Sequence, residues 1–194
     1  MRPLDLCERD IPSVWHSKAA TATETWDVVG LFNFGTKEEI RGVRFEQLGL
    51  DGATPCAVFE FWEGKFRGIH TGGIELALPP ESSRVLAIRK VTGIPQLIGT
   101  DMHLLQGYHE VKAIAWDATR HVLSGTYRRA AGLRGNAYFL VPEGFAPHFD
   151  FPLGPESAHL TRIGDLLWIQ EIEFTDAEQS WSIPFDAAQK EAAK

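Results

Sequence analysis

Cysteine is nearly absent: Cys7 and Cys56 are the only two in 194 residues. Two are too few for a disulfide framework, and they lack the paired spacing of a zinc site. Two separate thiols are expected in preference to a single bridge. Long apolar runs are missing too. No window approaches the roughly 20 apolar residues of a membrane span, and the opening MRPLDLCERDIPSVW has no apolar h-region. The expectation is a soluble chain with no export signal of its own, which suits a cytoplasmic protein or a piece of a longer one and assigns no compartment. Nineteen basic residues stand against 26 acidic ones, a net charge of −7, with no Lys/Arg cluster. A phosphate backbone would be repelled over most of such a surface, so neither nucleic acid nor a membrane is expected as a partner.

Recognised catalytic motifs are also missing. There is no Gly-x-Ser-x-Gly elbow, phosphate loop or dinucleotide fingerprint, and Thr71-Gly72-Gly73 reads as a turn with no helix behind it. Seven histidines are present, but none form the i, i+4 pair or the His/carboxylate cluster that holds a metal. His103 and His109 are merely near each other, and His103 reads as a structural histidine hydrogen-bonded at a turn. The recognised nucleophile arrangements are absent, and no metal or cofactor is expected. Convincing amphipathic helices are lacking before the tail DAAQKEAAK, and without eight βα units the chain cannot build a catalytic barrel.

What the chain does have is short alternating runs broken by glycine and proline. In TWDVVGLFNFG, Trp26, Val28, Phe32 and Phe34 fall on one face at period two, predicting a half-buried strand. AVFEFWEGKFRGIH predicts a hairpin turning at Glu63-Gly64. In that register Phe61 faces Phe66 and Glu60 faces Arg67, leaving Glu60, Trp62, Lys65 and Arg67 on a polar face. GIELALPPESSRVLAIRK adds two strands divided by Pro79-Pro80, which cannot sit inside a sheet ladder. HEVKAIAWD, HVLSGTYRR, NAYFLVP, LLWIQEIEF and SWSIPF continue the pattern. The predicted fold is all-β: two small antiparallel β-sandwich units in tandem, with one larger sandwich as the competing arrangement. The expected divisions are a lead-in at 1–24, a first sandwich at 25–107, a second, immunoglobulin-like sandwich at 108–185 and a helix-prone tail at 186–194.

Between the two halves lies PQLIGTDMHLLQG, Pro95 to Gly107. Strands on either side make it the place where the two packed units would join, near Gly107. Among the six tryptophans, Trp26, Trp116 and Trp168 alternate with apolar residues and read as core. Trp62 lies near a hairpin tip among charged residues, and needs either a docked partner or the Lys65 ammonium over its ring. Trp15 of the lead-in is the second candidate for an interdomain contact.

WDVVGLFNFG, LGLDG, VFEFWEGKFRG, IELALPPESSRVLAIRK and PQLIGTDMHLLQG, in that order, resemble the C-terminal β-sandwich region of retaining glycoside hydrolases of the α-galactosidase type. CERDIPSVWHSK is similar to the segment by which the chain leaves the catalytic barrel, and the sequence after Gly107 resembles a second β unit appended in some of these enzymes. The resemblance implies a non-catalytic accessory domain that packs on and supports a barrel of the same polypeptide, the barrel carrying the nucleophile and acid/base carboxylates. It also implies that no residue of this chain is catalytic and that Pro95–Gly107 is a structural joint closing the first sandwich, with Thr100 or Asp101 capping backbone N–H groups, the Thr100-Asp101 turn and His103 fixing the exit of the chain, and Gly107 allowing a sharp change of direction. An independent carbohydrate-binding module is the alternative, and a domain bared of its partner would be prone to self-association.

Overall fold

The computed structural model describes residues 1–148 and 160–187. They are built from strands, with a single 3-10 turn as the one helical element among them. Two compact units are present: residues 1–20 and 25–91 form one, residues 21–24 and those from 92 onward the other.

The first unit holds β1 (Arg2–Pro3), β2 (Val14–Ala20), β3 (Thr25–Asn33), β4 (Glu39–Arg44), the 3-10 turn (Phe45–Leu48), β5 (Cys56–Glu60), β6 (Lys65–His70), β7 (Gly73–Leu78) and β8 (Ser82–Lys90). Six of the strands form an antiparallel sheet in the order β1-β2-β3-β8-β5-β6, and β4 pairs with β7 as a separate ribbon. Val29 and Leu31 of β3, Leu86 and Ile88 of β8, and Val58 of β5 share one core with Val43 and Ile74 of the ribbon and Phe45 and Leu48 of the 3-10 turn. Gly49 ends that turn at φ 79°, a conformation that costs glycine little, and its N–H bonds back to the Glu46 carbonyl.

This core contains buried polar groups as well as hydrocarbon. His16 Nε2 lies 2.7 Å from the Asp27 carboxylate, and Lys18 reaches the same carboxylate at 3.2 Å. Buried polar groups persist only when partnered, and these are. Farther along the sheet the Arg89 guanidinium lies 3.9 Å over the ring of buried Trp26, a cation–π contact.

The second unit holds β9 (Gln96–Thr100), β10 (Val111–Asp117), β11 (Val122–Arg128), β12 (Arg134–Leu140), β13 (Phe145–Pro147), β14 (Thr161–Arg162), β15 (Leu167–Glu173) and β16 (Glu178–Ala187). They form two four-stranded antiparallel sheets, β10-β11-β16-β13 and β14-β15-β12-β9. Both sheets contribute to one core, centred on Trp181, whose ring stacks on Tyr127 at 5.2 Å and meets Phe139 edge to face at 5.5 Å. The Tyr127 hydroxyl donates to Gln170 Oε1 at 2.8 Å, joining β11 of one sheet to β15 of the other.

All-β architecture in sandwich-like units agrees with the sequence reading, while several details do not. The expected lead-in at 1–24 is no separate segment, because Arg2–Pro3 and Val14–Ala20 are strands of the first sheet. The first unit ends at Val91, not Gly107. Leu97 and Gly99 of β9 pair with Phe139 and Tyr138 of β12, so Pro95–Gly107 lies inside the second unit and does not close the first. Asp186 and Ala187 of the expected helical tail extend β16, where they pair with Ala146 and Phe145; the remainder of that tail lies outside the described residues. β3 is buried on both faces from Trp26 to Leu31, and Phe34, read as sharing its apolar face, lies beyond the strand and is exposed.

Candidate functional site

Trp62 stands where the β5–β6 hairpin turns, 56% exposed. The hairpin's register differs from the predicted one: Phe59 faces Phe66 and Glu60 faces Lys65, with an irregularity at Val58/Phe59. The turn therefore takes in Phe61 to Gly64, four residues instead of two. Glu60, expected on the polar face, is fully buried and accepts the backbone N–H groups of Trp62 and Glu63 at 3.1 and 2.8 Å. The carboxylate is a cap built into the turn. Arg67 lies 3.9 Å from it and bonds Glu63 at 2.8 Å. The Trp62 ring meets Phe61 edge to face at 5.0 Å, which fixes the presented indole.

Trp15 lies on β2 opposite Gly30, half-buried, and its ring N–H donates to the Pro12 carbonyl at 3.1 Å. The structure does not bring Trp15 and Trp62 together, since they sit on β2 and at the β5–β6 turn, with β3 and β8 between.

Thr100, Asp101 and Gly107 converge on partners that sequence reading missed. The Thr100 hydroxyl and the Gly107 N–H, at 2.9 Å, both donate to Glu110 Oε1, and the His109 N–H donates to Oε2 at 3.2 Å. Glu110 is 3% exposed. Asp101 accepts the backbone and side-chain N–H groups of Asn136, each at 2.6 Å, tying the loop to β12. His103 Nδ1 accepts the Leu105 N–H at 3.1 Å, and its ring lies edge to face with His109. Among the described residues, no group of three or more His, Cys, Asp or Glu is placed to hold a metal ion. Cys7 and Cys56 are free thiols, the first exposed and the second buried.

The concave surface of the first unit lies elsewhere. A cleft of about 540 Å³ opens between Leu6–Ile11 and the β3–β4 connection, and adjoins a second of about 790 Å³ along the β4–β7 ribbon; Glu8, Arg9 and Arg41 line both. Two carboxamide and carboxylate anchors shape these walls. Asp5 accepts the Ser13 hydroxyl at 2.7 Å and the Ser13 and Val14 N–H groups, drawing Leu6–Ile11 into a closed loop. Burial would raise the Asp5 pKa, but these bonds outweigh it and hold the carboxyl below its ordinary range. Asn33 donates to the carbonyls of Lys37, Leu78 and Pro79 and accepts the Gly35 N–H, pinning the connection that carries Phe34. Arg41 bonds the Glu39 carboxylate and the Ile40 carbonyl, and its buried Nε has no partner. Burial and the nearby Arg9 charge lower its pKa, with Asp5 opposing them.

A two-layer antiparallel β-unit whose buried carboxylates are held by its own backbone and side chains, with a composite surface cleft, belongs to the class of β-sandwich modules. Residues 12–88 of this chain match the family of the alpha galactosidase C-terminal beta sandwich domain. The match runs from just before β2 into β8, and so covers the motifs WDVVGLFNFG, LGLDG and VFEFWEGKFRG in full, whereas PQLIGTDMHLLQG lies beyond it. Such a domain is the C-terminal part of α-galactosidase-type proteins. No curated protein matches the chain.

Proposed function

We propose that the first unit is a non-catalytic accessory domain of an α-galactosidase-like glycoside hydrolase, packing on and supporting a catalytic barrel of the same polypeptide, and that the second unit is a further sandwich appended to it. The family match over 12–88 carries this reading. The chemistry of the buried acids supports it. Glycoside hydrolysis uses two carboxyl groups facing one cleft at a set separation. Asp5, Glu60 and Glu110 instead accept backbone N–H groups, and Asp27 accepts from His16 and Lys18. Acids held in this way brace loops and sheet.

The test uses the purified chain and an α-galactosidase barrel stripped of its own C-terminal sandwich. The chain should hydrolyse no aryl α-galactoside above the uncatalysed rate, and should slow thermal inactivation of the barrel when added in excess. Turnover that survives repurification and vanishes when one carboxylate of this chain is neutralised would overturn the accessory role. Saturable binding of a galactose oligosaccharide with no effect on the barrel would replace it with a carbohydrate-binding module.

A further inference from the structure

We propose that the catalytic barrel docks on the double cleft of the first unit, with Leu6, Ile11, Phe34 and Ile40 as its apolar contacts and Arg41 with Arg9 as the polar centre. This rests on the accessory-domain reading and moves the docking face away from Trp62 and Trp15.

Four observations converge here. Leu6, Ile11, Phe34 and Ile40 are 60%, 64%, 58% and 67% exposed, and all four line the two joined clefts. Apolar side chains exposed singly need no explanation, but several around one concavity mark an interaction surface. The surface is also pre-formed. Phe34 stacks parallel on Phe32 at 5.7 Å, Asn33 pins its loop, and Asp5 closes the Leu6–Ile11 loop. Ordering is thus spent in folding and not again on binding.

The remaining two observations choose the occupant. The matched family domain is a C-terminal one and its match begins at residue 12, so in such a polypeptide the preceding domain reaches this unit through the residues just before that point. Leu6 to Ile11 are those residues, and they form one wall of the cleft. The centre then fits a partner that presents both donors and acceptors, because Arg9 and Arg41 line both clefts beside Glu8, with Asp10 and Glu39 in the first and Asp5 and Glu75 in the second. The edges of barrel loops supply such groups.

The experiment measures binding of the 194-residue chain to the same stripped barrel by calorimetry. Phe34→Asp and Ile40→Asp are compared with Trp62→Ala, each first checked for an unchanged unfolding midpoint. Both Asp variants should weaken binding by roughly tenfold or more, as loss of a central apolar contact does, while Trp62→Ala binds like the parent. Arg41→Gln offers a second check, expected to weaken binding without an apolar change. If the parent chain binds and only Trp62→Ala loses affinity, this surface is wrong and the accessory role stands. If the parent chain binds no barrel, the accessory role itself fails. Self-association of the parent chain that Ile40→Asp abolishes, or oligosaccharide binding that Phe34→Asp abolishes, would give the cleft to another occupant and overturn the proposal.

Discussion

At the scale of single residues, the carboxylates carry structural meaning that their charge alone conceals. Asp5 has a folded pKa below its ordinary value near 3.8, so its contribution to stability is fully present above the unfolded pKa and is lost as the pH falls through the folded one. Thermal unfolding followed between about pH 5 and pH 2 should therefore show a decline to which Asp5 contributes. Asp5→Asn should flatten that part of the profile and lower stability at neutral pH, since a carboxamide accepts with one oxygen only. An unaltered profile would mean that the Ser13 and Val14 bonds do not form in solution. Glu60 gives a paired expectation. Glu60→Ala leaves the Trp62 and Glu63 N–H groups without their acceptor and should cost about 1–3 kcal/mol in denaturant unfolding. Trp62→Ala, two residues along the chain, should stay within about ±0.5 kcal/mol, as surface changes do.

The secondary elements show what was legible in the sequence and why the rest was hidden. Period-two alternation marks strands directly, so the all-β class and most strand positions could be read. β2 was missed because its inward position is His16, a residue that reads as polar until Asp27 on the neighbouring strand is known to partner it. The β5–β6 hairpin was located but misregistered: its turn takes four residues where two were read, which shifts the partners nearest the tip by two, and the irregularity at Val58/Phe59 takes up one of them. β9 was assigned to the wrong unit because its partner, β12, lies some forty residues away, and alternation carries no information about pairing. The surface cleft was invisible for a related reason. Phe34 alternates with Phe32 as a strand residue would, and only the end of β3 at Asn33 turns it outward. At this scale Gly125 offers a test. A Cβ there would lie 2.6 Å from the Ala113 carbonyl oxygen on β10 and 2.6 Å from the Trp181 ring on β16. Gly125→Ala should destabilise the second unit by about 1–3 kcal/mol, the usual cost of overpacking, read from Trp181 fluorescence on denaturation.

For the whole molecule, the two cores have different orders of assembly, and this bears on how the chain is made. Every strand of the first unit lies within residues 1–91, so all of its ladder partners exist once that length has left the ribosome. In the second unit β16, at Glu178–Ala187, pairs with β11 along its whole length and with β13 beyond it. Until β16 is synthesised, β11 presents an open backbone edge and Tyr127 lacks Trp181. A nascent chain arrested between β15 and β16 should therefore hold the second unit as an unfinished sheet, susceptible to protease and to strand capture by a neighbour. Limited proteolysis of arrested chains should cut after Val91 while sparing the first unit, and release of the full chain should remove those cuts. Translation of β16 thus sets the moment at which the second sandwich becomes safe from aggregation.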